Sequence, residues 1–221
     1  MPNLEHLITR WAQGWQASRT LPPPETTKDA LRIRCAQPGR EFEIFALHGD
    51  EDPESLRRLA TKVLAADEST WLTVTTASAA TTGAALEAAG LQLVHPSETY
   101  MTIDLTRHPH HNLDPAFTSK INTEGADIKV EIHDSTGELA ARGHLGLAGT
   151  DGVADRILTM PDFRRRGLGA VVMGMLATEA VARGAHTGLL VASEEGRLLY
   201  SRLGWKRVAD VVIAQRPQQT Q

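Results

Sequence analysis

The sequence predicts an α/β (α+β) fold, a mixed central sheet flanked by helices, built as two halves of similar element order. Three observations carry this expectation. Residues 127–213 run as short strands, a glycine turn, a helix, an apolar strand, a helix and a last strand. Residues 52–105 repeat the later part of that order, helix, strand, helix and two strands. Between them "TRHPHHNLDPAF" (106–117) is polar, proline-bearing and aperiodic, as a boundary is. The expected domains are therefore 1–105 and 127–221, with 106–126 as a linker.

The 221 residues are 41% apolar and 23% charged, the balance of a globular chain. A formal net charge of -4 argues against nucleic acid or an anionic membrane as partner, so any anion site must be local. Cys35 is the only cysteine, which excludes an internal disulfide and suits a reducing compartment. Arg32 and Arg34 beside it could activate the thiol, but a buried, inert cysteine on a strand is favoured. Glu5 and Arg10 interrupt the apolar run that a signal peptide would need. A cytoplasmic location is expected.

Leu4, Leu7, Ile8, Trp11 and Trp15 recur at helical spacing over residues 3–19, and Pro22, Pro23 and Pro24 end that helix. Residues 31–35 and 41–47 read as strands, the second alternating Phe42, Ile44 and Ala46 with polar neighbours. Asp52 can cap a helix to about residue 66, with Pro53 at its first position. "WLTVTT" (71–76) is a buried strand by its β-branched content, and 77–89 a helix closed by Gly90. Strands at 91–95 and 100–105 complete this half. In the linker, His108, His110 and His111 lack a second ligand cluster at zinc spacing, so no metal is expected.

Strands are expected at 127–133, 139–147 and 153–159, joined by "DSTG" and "AGTDG" turns. Then comes "PDFRRRGLGAVVMG" (161–174), three arginines running into two glycines and a helix over 168–183. The first amides of a helix have no intrahelical partner and its dipole makes that end positive. Gly167 and Gly169 leave the backbone open, and Arg164, Arg165 and Arg166 add charge, so the segment suits a pyrophosphate. A P-loop would need Lys and Ser/Thr where Ala170 and Val171 stand, and a dinucleotide fingerprint a glycine at Val172. "TGLLVAS" (187–193) is a strand buried on both faces. Ser193 caps the helix that Gly204 closes, and a final strand follows Trp205.

"ILTMPDFRRRGLGA" (157–170) resembles the acetyl-CoA segment of the GCN5-related N-acetyltransferase (GNAT) superfamily. Arg164, Gly167 and Gly169 fall on its Arg/Gln-x-x-Gly-x-Gly/Ala signature. "LLVASEEGRLLYSRLGW" (189–205) resembles the family's second motif, and the match covers about residues 127–213. "LEAAGLQLVHPSETYMTIDL" (86–105) is similar to the end of another such domain, which makes the chain a tandem GNAT-like arrangement with a degenerate first copy.

The resemblance implies an N-acetyltransferase that moves an acetyl group from acetyl-CoA to a primary amine by direct transfer in a ternary complex. The acceptor would be a small molecule or a peptide. The backbone of Ile157, Leu158 and Thr159 would pair with the pantetheine arm. Amides from Arg165, Arg166, Gly167, Leu168, Gly169 and Ala170 would hold the pyrophosphate, with Arg164 and Ser193 in the same cofactor-binding set. Tyr200 matches the tyrosine that protonates the departing thiolate. The base is left open among Asp155, His144, Glu131 and His133. A catalytically inactive acyl-CoA-binding regulatory module is the alternative, and a homodimer is compatible with either.

Two departures stand out. "FALHGDEDPES" (45–55) precedes the first half's helix with acid instead of arginine and glycine. The family's opening strand and two helices are missing between residues 106 and 126, and the N-terminal helix with Trp11 and Trp15 is the candidate to cover the acceptor instead.

Overall fold

In the computed structural model, which describes residues 3–217, the spacing of Leu7, Ile8, Trp11 and Trp15 is realised as α1 (Leu4–Arg19). Ile8, Trp11 and Trp15 are buried. The chain continues through β1 (Glu25–Thr26), β2 (Ala30–Gln37), β3 (Arg40–Ala46), α2 (Pro53–Ala65), β4 (Thr70–Thr76), α3 (Ala79–Ala88) and β5 (Gln92–Asp104). It then forms β6 (Phe117–Glu124), β7 (Asp127–Asp134), β8 (Leu139–Ala148), β9 (Asp151–Thr159), α4 (Leu168–Ala182), β10 (Thr187–Ala192), α5 (Glu194–Arg202) and β11 (Lys206–Gln215).

The chain divides into two compact units that do not follow the expected boundaries. Of the described residues, one holds 3–9, 21–100 and 208–217, and the other holds 10–20 and 101–207. In the first, strands run in the order β1-β2-β3-β4-β11, with β3 parallel to β4 and β11 antiparallel to it. Leu56, Leu59, Ala60 and Val63 of α2 and Leu86 of α3 pack with Ile44, Leu72, Val74 and Val212 as its core. Cys35 is buried in β2.

The second unit has the order β5-β10-β9-β8-β7-β6, to which β5 contributes its last residues from Met101. One face is apolar. Ile128, Val130, Ile132, Ala141 and Leu145 form a core with Leu168, Val172, Leu176 and Ala180 of α4. The other face carries Asp127, Lys129, Glu131, Arg142, His144 and Asp155, brought together by the registers Lys129↔His144, Glu131↔Arg142 and His144↔Asp155.

Two strands differ from expectation. β5 is continuous through Pro96, where a proline in "HPSE" reads as a break. β6 lies in what the sequence marks as linker, hydrogen-bonded to β7 from Phe117↔Asp134 to Glu124↔Asp127. Seven of its eight residues are exposed, so it has no apolar alternation to betray it. The backbone ladder beyond the Gly125-Ala126 turn makes the strand instead.

Residues 10–19 of α1 lie on the polar face of β8 and β9. Arg10 pairs with buried Asp151, and Arg19 forks onto Asp155 at 2.6 and 2.9 Å. The contact is backbone to backbone: a Cβ on Gly146 would meet the Gly14 carbonyl and lie 2.6 Å from the Ser18 nitrogen. Gly146→Ala is therefore expected to cost about 3 kcal/mol, because no rotamer change relieves it. In a thermal melt this reads as a fall of roughly 6–12 °C. An unchanged melting temperature would contradict the packing described.

Candidate active site

The start of α4 is an exposed row of unused donors. Gly167 is its N-cap at φ 76, with no capping side chain. Arg165 also has positive φ, at 65. The amides of Arg165, Arg166, Gly167, Leu168 and Gly169 donate to no acceptor among the described residues, whereas Ala170 and Val171 bond to the Gly167 carbonyl. Nothing lies within 4 Å of where a Cβ on Gly167 would be, and one on Gly169 would press on Leu199 at 3.0 Å. Unpaired amides at a helix's positive end can hold a dianion.

The three arginines diverge. Arg164 turns back to the Thr159 carbonyl at 3.4 Å and lies 3.9 Å from Glu195. Arg166 lies over Phe117 and Phe163, at 5.9 and 5.7 Å from the ring centroids. The side chain of Arg165 has no partner among the described residues and is exposed. Ser193 caps α5 by accepting from the Gly196 amide at 3.2 Å, so its hydroxyl proton is what it can still offer.

Beside this helix end the sheet opens. β9 and β10 pair in parallel only through Thr187↔Asp151, Gly188↔Gly152 and Leu189↔Val153. The ladder with β8 shifts register between Arg142 and His144, and Arg156 sits in the resulting bulge at φ 52. From Ala154 to Thr159, β9 therefore runs without a paired strand on its β10 side. Ile157, Leu158 and Thr159 lie on that stretch, which leads to the α4 amides. An extended amide-bearing chain could pair there as a strand does.

Tyr200 of α5 is buried, 6.1 Å from Trp205, and its hydroxyl makes no hydrogen bond among the described residues. Burial, with the charge of Asp155 adding to it, pushes the phenol well above its usual 10, so it keeps its proton. Of the four base candidates, Asp155 already accepts Arg19 twice and Ser18 Oγ at 3.3 Å. Glu131 and His133 are on β7, 4.0 Å apart. His144 is on β8, across from Asp155, with Nδ1 3.5 Å from a buried Asp127 oxygen. Neither of those two atoms has a hydrogen bond. Burial lowers the imidazole below its ordinary 6.5, with Asp127 acting against it and Arg156 and Lys129 with it.

The corresponding elements of the first unit have filled the same positions with the chain itself. Asp52 caps α2, its carboxylate accepting from Glu54 and Ser55 at 3.0 and 3.2 Å. Arg58, bound to both Asp52 and Asp29, holds that carboxyl below the usual range. β3 and β4 are paired from Phe42↔Thr70 to Ala46↔Val74, leaving no gap between them. Among the described residues, it is the second unit that presents unpaired helix amides beside splayed strands.

The linker histidines do not converge. His108 is buried, edge-on to Trp205, and His110 lies 3.3 Å from the Thr178 hydroxyl. Among the described residues no three His, Cys, Asp or Glu side chains are grouped as metal ligands would be. Arg19, Ser18, Asp127, Arg142 and Arg156 also belong to this face, and no motif in the sequence marks them. The alternation of Asp127, Lys129, Glu131 and His133 with apolar residues marked their face, but nothing local linked α1 to it.

A mixed sheet with a splayed parallel pair and a glycine-rich helix start between those strands defines the GNAT fold, and this chain has that fold. A GCN5-related N-acetyltransferase from Kribbella flavida superposes with a TM-score of 0.72 at 15% identity, covering 99% of this chain and 97% of that one. One from Sphaerobacter thermophilus gives 0.61 at 14%, covering 87% and 79%. A tandem GNAT protein from the clavulanic acid biosynthesis pathway gives 0.57 at 12%, covering 87% and 80%. Within the chain, residues 132–212 match the family model described as FR47-like protein, and that segment holds both motifs. No curated protein sequence matches the chain.

Proposed function

We propose that the second unit is an acetyl-CoA-dependent N-acetyltransferase acting on a primary amine in a ternary complex. The observation that carries this is the run of free amides from Arg165 to Gly169 opening onto the unpaired length of β9. The residues fit the cofactor: the amides suit its diphosphate, and Ile157, Leu158 and Thr159 suit its amide-bearing arm. When bound, the cofactor supplies an activated acetyl thioester. Tyr200, protonated and without an internal acceptor, is the group able to give a proton to the departing sulfur. His144 is the favoured proton acceptor, because it is neutral near pH 7 and the Asp127 carboxylate 3.5 Å from Nδ1 favours the proton there, leaving Nε2 to accept. Asp155 is excluded from that role by the Arg19 fork on its oxygens.

The sign of the pH dependence follows. His144 takes up a proton below 6.5, so kcat should fall on the acid side of that value and be level above it. Thiol release from acetyl-CoA with a broad amine panel tests the reading. His144→Gln should lower the plateau by about 100-fold and flatten the acid limb. An unaltered profile removes His144 as base. Coenzyme A uptake with no amine acetylated would favour the inactive binding module instead.

A further inference from the structure

The polar face beside the β9 bulge gathers cations in excess of its acids. Arg19, Arg142, Arg156 and Lys129 meet Asp155, Asp127 and Glu131 there. The acids are largely taken up. Asp155 holds Arg19, Asp127 lies 3.3 Å from Lys129, and Glu131 faces His133. The side chain of Arg142 is exposed and makes no hydrogen bond or ion pair among the described residues. Arg156 comes no closer than 3.9 Å to Asp155. Its backbone holds the left-handed conformation, at φ 52, which L-residues adopt at a cost and which recurs at functional positions. The charges acting on its guanidinium are Arg19, Asp155, Arg142 and Asp127, the first and third repelling it. Clustered guanidiniums with one carboxylate already forked are a site short of an anion.

We propose that the acceptor is an amine bearing a carboxylate, an α-amino acid in the simplest case, whose anionic group is taken by Arg142 and Arg156. This rests on the transferase reading and names its substrate class. The arrangement suits such a molecule. His144 lies across from Asp155, next to the Arg156 bulge and where strand pairing with β10 has just ended, so an amine at His144 would leave its carboxylate beside the bulge.

The test compares L-amino acids with their amides in acetyl-CoA-dependent thiol release. The amide removes the charge and, by lowering the amine pKa, supplies more of the reactive free base. A preference for the acid must therefore come from recognition. The kcat/KM for the preferred acid should exceed that of its amide by at least about 10-fold. The acid-to-amide ratio should collapse towards one in Arg156→Gln and in Arg142→Gln, with calorimetric affinity for coenzyme A unchanged. Arg156→Gly, which also relieves the backbone, should give the same collapse and guards against misfolding. Equal use of amides, an undiminished ratio in the variants, or phosphoethanolamine outperforming every carboxylate would overturn the inference. A loss of coenzyme A affinity in both variants would also overturn it, by moving the arginines to the cofactor. If no amine is turned over, the transferase reading fails. Calorimetric titration of the coenzyme-saturated protein with the same acids and amides then decides this inference separately: acid-selective, Arg156-dependent binding supports it and its absence overturns it.

Discussion

Gly167→Asp is expected to weaken coenzyme A binding by at least about 100-fold while leaving the protein folded. A carboxylate at the N-cap of α4 would accept from the first amides of that helix, as Asp52 does for α2, and would stand where a diphosphate must sit. Two like charges about 4 Å apart at a partly wet surface repel by roughly 4 kcal/mol, which exceeds the loss required. The stability terms oppose each other. Placing Asp at φ 76 costs about 1 kcal/mol, and a new cap returns a similar amount. The melting temperature should therefore shift by less than about 4 °C. Calorimetry and a thermal melt on the same preparation check both halves of the expectation.

Tyr200→Phe should lower kcat by about 100-fold with the coenzyme A dissociation constant unchanged, since the hydroxyl touches no internal partner and the ring keeps its packing on Trp205. A second consequence concerns stability. The folded protein holds the phenol proton above the usual value of 10. The unfolded chain therefore loses that proton first, and stability is full below pH 10 and falls above it. Chemical denaturation across the alkaline range should show a slope in the wild type that the phenylalanine variant lacks. Equal turnover in the two proteins would remove Tyr200 as the acid.

What was legible in the sequence is what depends on neighbours along the chain. The α4 start is a local object: Arg-Arg-Arg-Gly-Leu-Gly dictates both the free amides and the absence of a Cβ over them, and the structure has that form. Helix limits marked by Asp52, Ser193 and Gly204 were readable for the same reason. β6 was not, because its stability lies in a ladder with β7 rather than in burial of its own side chains. The polar face was half legible. Its alternation is written in residues 127–133, but the Arg19–Asp155 and Arg10–Asp151 pairs join residues more than a hundred positions apart. The division into compact units was hidden likewise, since residues 10–20 and the last strand each settle with elements remote in sequence. His108 reads as solvated in a polar stretch, yet it is buried against Trp205.

Titration calorimetry with coenzyme A and with pantetheine shows whether the amides from Arg165 to Gly169 grip a diphosphate. Pantetheine keeps the thiol arm and lacks the diphosphate. One coenzyme A should bind per chain, with pantetheine at least about 100-fold weaker, the worth of two charge-assisted hydrogen bonds to backbone donors. Equal affinity for the two, or no uptake of coenzyme A, would contradict it.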